Sequence, residues 1–159
     1  KPISPPPTTA SRPDGGGKAV PLPTPRPGLV IRYAFLWSHE AAAGYEEASK
    51  DRRCAIVVAA RREDDGVRVT VAPITHAPPD DPSASVPLPP EVARSLGLGA
   101  GPHWLRADEL NRFHWPGYDL RPIPGQADSY AYGMLPQGLY ERLRRTILHR
   151  QRRGPIPRD

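Results

Sequence analysis

The stretch Arg52–Thr75 limits what this chain can fold into more than any other segment. Ala55-Ile56-Val57-Val58-Ala59-Ala60 is an unbroken apolar run of strand length, the pattern of a strand covered on both faces. Val67-Arg68-Val69-Thr70-Val71 alternates apolar with polar residues, as a strand with one inward face does. Between them Asp64-Asp65-Gly66 supplies a turn, glycine taking the positive φ that tight hairpins require. Counted from the Asp64–Asp65 midpoint, Arg52 and Thr75 lie 12.5 and 10.5 positions out. They should therefore meet at the open end of the ladder with an offset of two residues, about 7 Å of strand rise.

The rest of the chain fits a mostly β domain. Gly28-Leu29-Val30-Ile31-Arg32-Tyr33-Ala34-Phe35-Leu36-Trp37 reads as a first strand packed on both faces, and Ser38 to Asp51 as a polar loop with a helical turn. After a Pro- and Asp-rich loop, Pro89 to Gly97 has proline in its first turn and glycine just past its end, the marks of a short helix. His103 to Leu110 is expected as a fourth strand, Asn111 to Gly117 as an aromatic, basic turn, and Tyr130 to Leu135 as a last short strand. Pro136 to Arg153 closes the domain as a helix. Leu139, Leu143, Thr146 and Ile147 form its apolar stripe, and Arg142, Arg144, Arg145, Arg150, Arg152 and Arg153 lie opposite.

Composition enters where partners are concerned. The net charge is +5 and nearly all the positives are arginine, whose planar fork matches phosphate; a GC-rich genome explains the same bias. Residues 1–26 hold eight of the 23 prolines and a Gly15-Gly16-Gly17 run, so a disordered tail is expected there, with a flexible end over 154–159. The single cysteine, Cys54, excludes an internal disulfide and reads as a small buried hydrophobe. No run is apolar enough to span a bilayer and the first residues lack a signal-peptide core, so no membrane association and a cytoplasmic location are expected. The chain starts at Lys1, as a fragment or a processed product would.

Arg52-Arg53-Cys54-Ala55-Ile56-Val57-Val58 followed by Val71-Ala72-Pro73-Ile74-Thr75 resembles the core of the MazF/PemK (Kid-like) toxins. In that pattern an arginine opens the second strand, and a proline, one residue, then serine or threonine closes the third. The resemblance spans about Pro27 to Ile147. It implies an SH3-like barrel with a C-terminal α-helix and a homodimer. The implied activity is a sequence-selective, metal-independent endoribonuclease toxin, an mRNA interferase that cuts single-stranded RNA. It also implies a cognate acidic antitoxin, with DNA contacted only through the antitoxin complex.

Residue by residue, the resemblance makes Arg52 and Thr75 the first site candidates. Glu47 stands five residues before Arg52, the spacing of the family's loop glutamate, and Arg106-Ala107-Asp108 matches an Arg-x-Asp element of the Kid-like branch. The catalytic set is thus Arg52, Thr75, Glu47 and Asp108, with Arg53, His76, Arg106, His39, Arg112 and Trp115 as RNA contacts. Each has a plainer reading: Glu47 and His39 as solvated loop residues, Arg106–Asp108 as a structural ion pair, Trp115 as a core or dimer contact. The chain also departs from the family, with Arg53 where proline is usual and Glu109 where glutamine follows the aspartate.

No Cys/His cluster, two-metal carboxylate set or phosphate-cradling glycine loop is visible, so no cofactor and no metal are expected. RNA carries its own nucleophile, the ribose 2′-hydroxyl, so the enzyme need only supply a base, an acid and stabilisation of the phosphorane. Arg52 suits the charge and Thr75 a hydrogen bond to the same phosphate, whereas Glu47, His76 and Asp108 all remain open as proton carriers. The alternative is a degenerate barrel that binds nucleic acid or an antitoxin-like protein without cutting. A third reading, action by protein contact as in the CcdB group, lacks that group's terminal Trp-Gly-Ile.

Overall fold

The computed structural model describes residues 22–48, 50–62, 66–126, 128–150 and 154–159. Most of the expected tail, the Asp64-Asp65 turn, and Arg152 and Arg153 lie outside them. In chain order the elements are β1 (Leu29–Tyr33), α1 (Ser38–Ala42), β2 (Arg52–Arg62), β3 (Gly66–Thr75), a 3-10 turn (Pro82–Ala84) and β4 (Ser85–Pro87). Then come α2 (Pro90–Ser95), β5 (Trp104–Arg106), β6 (Asn111–His114), β7 (Ala131–Met134), α3 (Gln137–Arg150) and β8 (Ile156–Pro157).

These strands make one eight-stranded sheet in the order β7-β1-β2-β3-β5-β4, with β6 also on β3 and β8 on β6. All neighbours are antiparallel except β6 and β8. Among the described residues no ladder joins the outer edges of β7 and β4, so the sheet is open. The protein is mostly β with a C-terminal helix. No helix of the described residues is long and apolar enough to cross a membrane.

The apolar run of β2 is covered on both faces only in its first half: Cys54 to Val57 are buried, whereas Val58 is 48% exposed and Ala60 is exposed. On β2, Ala55 and Val57 face one core with Val30, Ala72, Ile74 and Leu105, and α3 covers it with Leu143 and Ile147. Cys54 and Ile56 face the other, which holds Ile31, Tyr33, Phe35, Trp37, Val69, Val71 and Phe113. Cys54 is fully buried and burial pushes its thiol far up, the small hydrophobe that was expected.

Three expectations change. The hairpin offset closes: the register Cys54↔Pro73, carried two residues outward, puts Arg52 directly opposite Thr75. Val57 is an extra residue in β2, because Ile56 pairs with Val71 and Val58 with Thr70, and the pair Arg62 and Gly66 is itself one position out from the count about the Asp64–Asp65 midpoint. Second, the expected fourth strand ends at Arg106, and Asn111–His114, expected as a turn, is strand β6 on the first half of β3. In the structure Asn111 and Phe113 are buried and Arg112 and His114 half-buried, the period of two that a strand imposes, with the polar Asn111 hiding it in the sequence. Third, residues 154–159 do not trail free. The amides of Ile156 and Arg158 donate to the carbonyls of Leu110 and Arg112, extending the sheet by a parallel strand.

Candidate active site at the open end of the hairpin

Two adjacent arginines begin β2, and strand alternation sends them to opposite faces. Arg53 is tied to the backbone: Nε donates to the Leu96 carbonyl at 3.0 Å and Nη2 to that of Gly97 at 2.9 Å. It thereby satisfies carbonyls at the end of α2, where a cation suits the helix dipole, and its guanidinium lies 4.2 Å from the Tyr132 ring centre. That is a structural reason for arginine where the resembling family has proline.

Arg52 is different. Its guanidinium lies 4.9 Å from the ring centre of Trp37, and Nε is buried with no hydrogen-bond partner. Burial lowers its pKa, against the opposing influence of Cys54 and Glu40. Among the described residues no carboxylate pairs with it. Even the preceding Asp51 turns to Arg32 and Arg121, at 3.4 and 3.7 Å. A half-buried cation without a counter-ion is costly to hold, and it favours an incoming anion.

The anion has a place to sit. Arg52, Arg53, Thr75, His76 and His103 line one open cleft of about 310 Å³. Thr75 is 7% exposed; its Oγ1 accepts from the Ala77 amide at 3.1 Å, which fixes the oxygen and leaves its O–H free to donate. His76, expected to point away from Thr75 if the strand continued, follows the end of β3 and is exposed at the cleft. His103 is 7% exposed, and its buried Nδ1 has no partner.

Trp37 organises what surrounds the cleft. The backbone beyond β1 stays extended because the Asn111 side chain pairs with Leu36 as another strand would, accepting from its N–H at 2.9 Å and donating to its carbonyl at 2.8 Å. Glu40 accepts from the Trp37 amide, and the buried Glu109 accepts from both the amide and the hydroxyl of Ser38, at 2.8 and 2.5 Å. Trp37 is thus held beneath Arg52 and also beneath Arg106, whose guanidinium is 5.5 Å from the same ring. Arg106 in turn forms a two-bond pair with Asp108, at 2.8 and 3.0 Å, and that hydrogen bond raises the arginine's pKa.

The structure therefore brings Arg52, Thr75, Arg53 and His76 to one cleft and links Arg106 and Asp108 to Arg52 through Trp37. Glu47 and His39 are exposed and stand outside the cleft lining. Arg112 is opposite Thr70 on β6, on the sheet face away from Arg52, and Trp115 lies beside Phe113 at the far end of β3. Trp37 and His103 were not singled out as site residues. Each looks like part of an apolar strand, and only the path of the backbone gives either one a position at the site. No protein-family model and no curated protein matches this chain.

Proposed function

We propose that the protein is a metal-independent endoribonuclease toxin of the SH3-like MazF/PemK type, cutting single-stranded RNA by attack of the 2′-hydroxyl on the adjacent phosphate. The observation that carries this reading is the half-buried, uncompensated Arg52 in one open cleft with Thr75. In the reaction the scissile phosphate lies on Arg52, whose fork holds two of its oxygens as negative charge builds. The Thr75 hydroxyl donates to the same phosphate. His76 and His103 line the same cleft as these two groups: one accepts the 2′-hydroxyl proton and the other protonates the departing 5′-oxygen. Asp108 acts by holding Arg106 rather than by moving a proton. The acidic antitoxin and the homodimer belong to the same proposal.

The test is cleavage of single-stranded RNA in excess chelator. Arg52→Ala should lower turnover by about 100-fold or more with the protein still folded, and Thr75→Ala should act in the same direction. Chelator-sensitive cleavage restored by magnesium, or full activity of Arg52→Ala, would overturn the mechanism. A non-cleaving, RNA-binding module is the second reading, favoured by the exposed Arg142, Arg144 and Arg145 on α3. Intact binding with no cleavage at any pH would select it.

A further inference from the structure

A second cleft, of about 470 Å³, lies at the other end of β3. Phe113, Trp115 and Tyr118 provide its aromatic wall, and Asp119, Arg158 and Asp159 its polar side. Phe113 and Trp115 sit 6.1 Å apart, packed into the core behind them. Tyr118 is 96% exposed, a large aromatic at the mouth with no packing of its own. The polar side is held in place. The Arg158 side chain is 3% exposed and pairs with Asp119 at 3.2 Å, and Asp159 accepts from both the amide and Nδ1 of His114.

We propose that this cleft binds one unpaired guanine of a single-stranded RNA, stacked on Trp115 and Tyr118. The inference rests on the RNA reading above and adds a base-reading subsite away from the reacting phosphate. The volume suits a nucleoside, and stacking between exposed and half-buried aromatics is how proteins hold splayed bases. The edge follows from the donors and acceptors. Three of the Arg158 N–H groups are turned to protein oxygens: both of Nη1 to the Ala34 carbonyl and the Asn111 Oδ1, and one of Nη2 to Asp119. The two carboxylates keep unused lone pairs and accept only. An edge with two adjacent donors, as N1–H and N2–H of guanine, fits such a carboxylate; adenine offers one donor beside an acceptor. From Val67, whose carbonyl accepts from the Trp115 amide, to Thr75 is eight residues of β3, about 26 Å. That is about eight nucleotides at stacked spacing and fewer when the strand is extended.

The experiment measures binding of oligouridine of about twelve nucleotides, methylated at its 2′-oxygens so that it cannot be cut, with one guanosine or one adenosine moved along it. Guanosine at one position should tighten binding about tenfold over adenosine there. Tyr118→Ala and Asp159→Asn should each abolish that preference. Tyr118 is solvent-exposed, so its loss leaves the fold intact. No guanosine preference at any position, or a preference that survives both variants, overturns the subsite. If the protein still cuts ordinary RNA in those cases, the proposed function stands without it; absence of any binding to single strands overturns both.

Discussion

Replacing Arg158 by alanine is the most demanding test of how the C-terminal strand is held on the sheet. Its guanidinium is almost fully buried, donates to the Ala34 carbonyl at 2.6 Å and to Asn111 Oδ1 at 3.0 Å, pairs with Asp119, and lies 5.8 Å from the Tyr33 ring centre. Breaking a buried pair by removing one partner costs roughly 3–5 kcal/mol. Asp119 is 21% exposed and is partly rehydrated, which points to the lower end, about 3 kcal/mol. For a domain of this size that is a fall in Tm of about 10 °C. Urea unfolding should show a lower midpoint at unchanged slope. Hydrogen exchange should show loss of protection at the Ile156 amide, which donates to Leu110. Arg158→Lys should recover part of the loss, because a point charge reaches one partner but not three. A destabilisation under about 1 kcal/mol with an already unprotected Ile156 amide would refute the docked C-terminal strand.

Four further outcomes follow from the same geometry. Because burial raises the pKa of Cys54 and of Tyr33, the unfolded chain releases those protons first; stability should be full below the ordinary thiol value of 9.0 and decline above it, by about 1.4 kcal/mol per pH unit per group. Cys54→Ala should remove the part of that decline that begins near pH 9, and an unchanged alkaline profile would refute the assignment. Gly117 has φ +67° and a Cβ there would stand 2.9 Å from the His114 carbonyl, so Gly117→Ala should cost roughly 1–3 kcal/mol in thermal unfolding. If Arg52 and Thr75 hold one phosphate, the double alanine variant should lose far less activity than the product of the single losses, and multiplicative losses would separate their roles. Arg145→Ala on the exposed face of α3 should weaken RNA binding and flatten its salt dependence by about one unit of slope, without changing the single-turnover rate.

The sequence by itself determined the strands that carry the core. Ala55 to Val57 and the alternation through Val71 encode burial directly, because a side chain's face on a strand follows its parity; Val58 and Ala60 continue the apolar run yet are exposed, since nothing local tells where the covering layers end. The short α2 and the amphipathic α3 were legible for the same reason, their stops and stripe being local. The meeting of Arg52 with Thr75 was nearly legible, missing only the Val57 bulge, which depends on how two strands settle against different neighbours. What the tertiary structure alone decided is which arginines remain available. Arg53, Arg106 and Arg158 carry the same charge as Arg52, yet each is met by carbonyls or a carboxylate that lie far away in sequence or that only a folded loop presents. Arg52 alone of these four rests on an aromatic ring with a buried donor unpaired, and Trp37 lies beneath it only because Asn111, Glu40 and Glu109 fix the backbone there. Charge pattern counts cations; only their long-range partners show which cation still has a field to offer a phosphate.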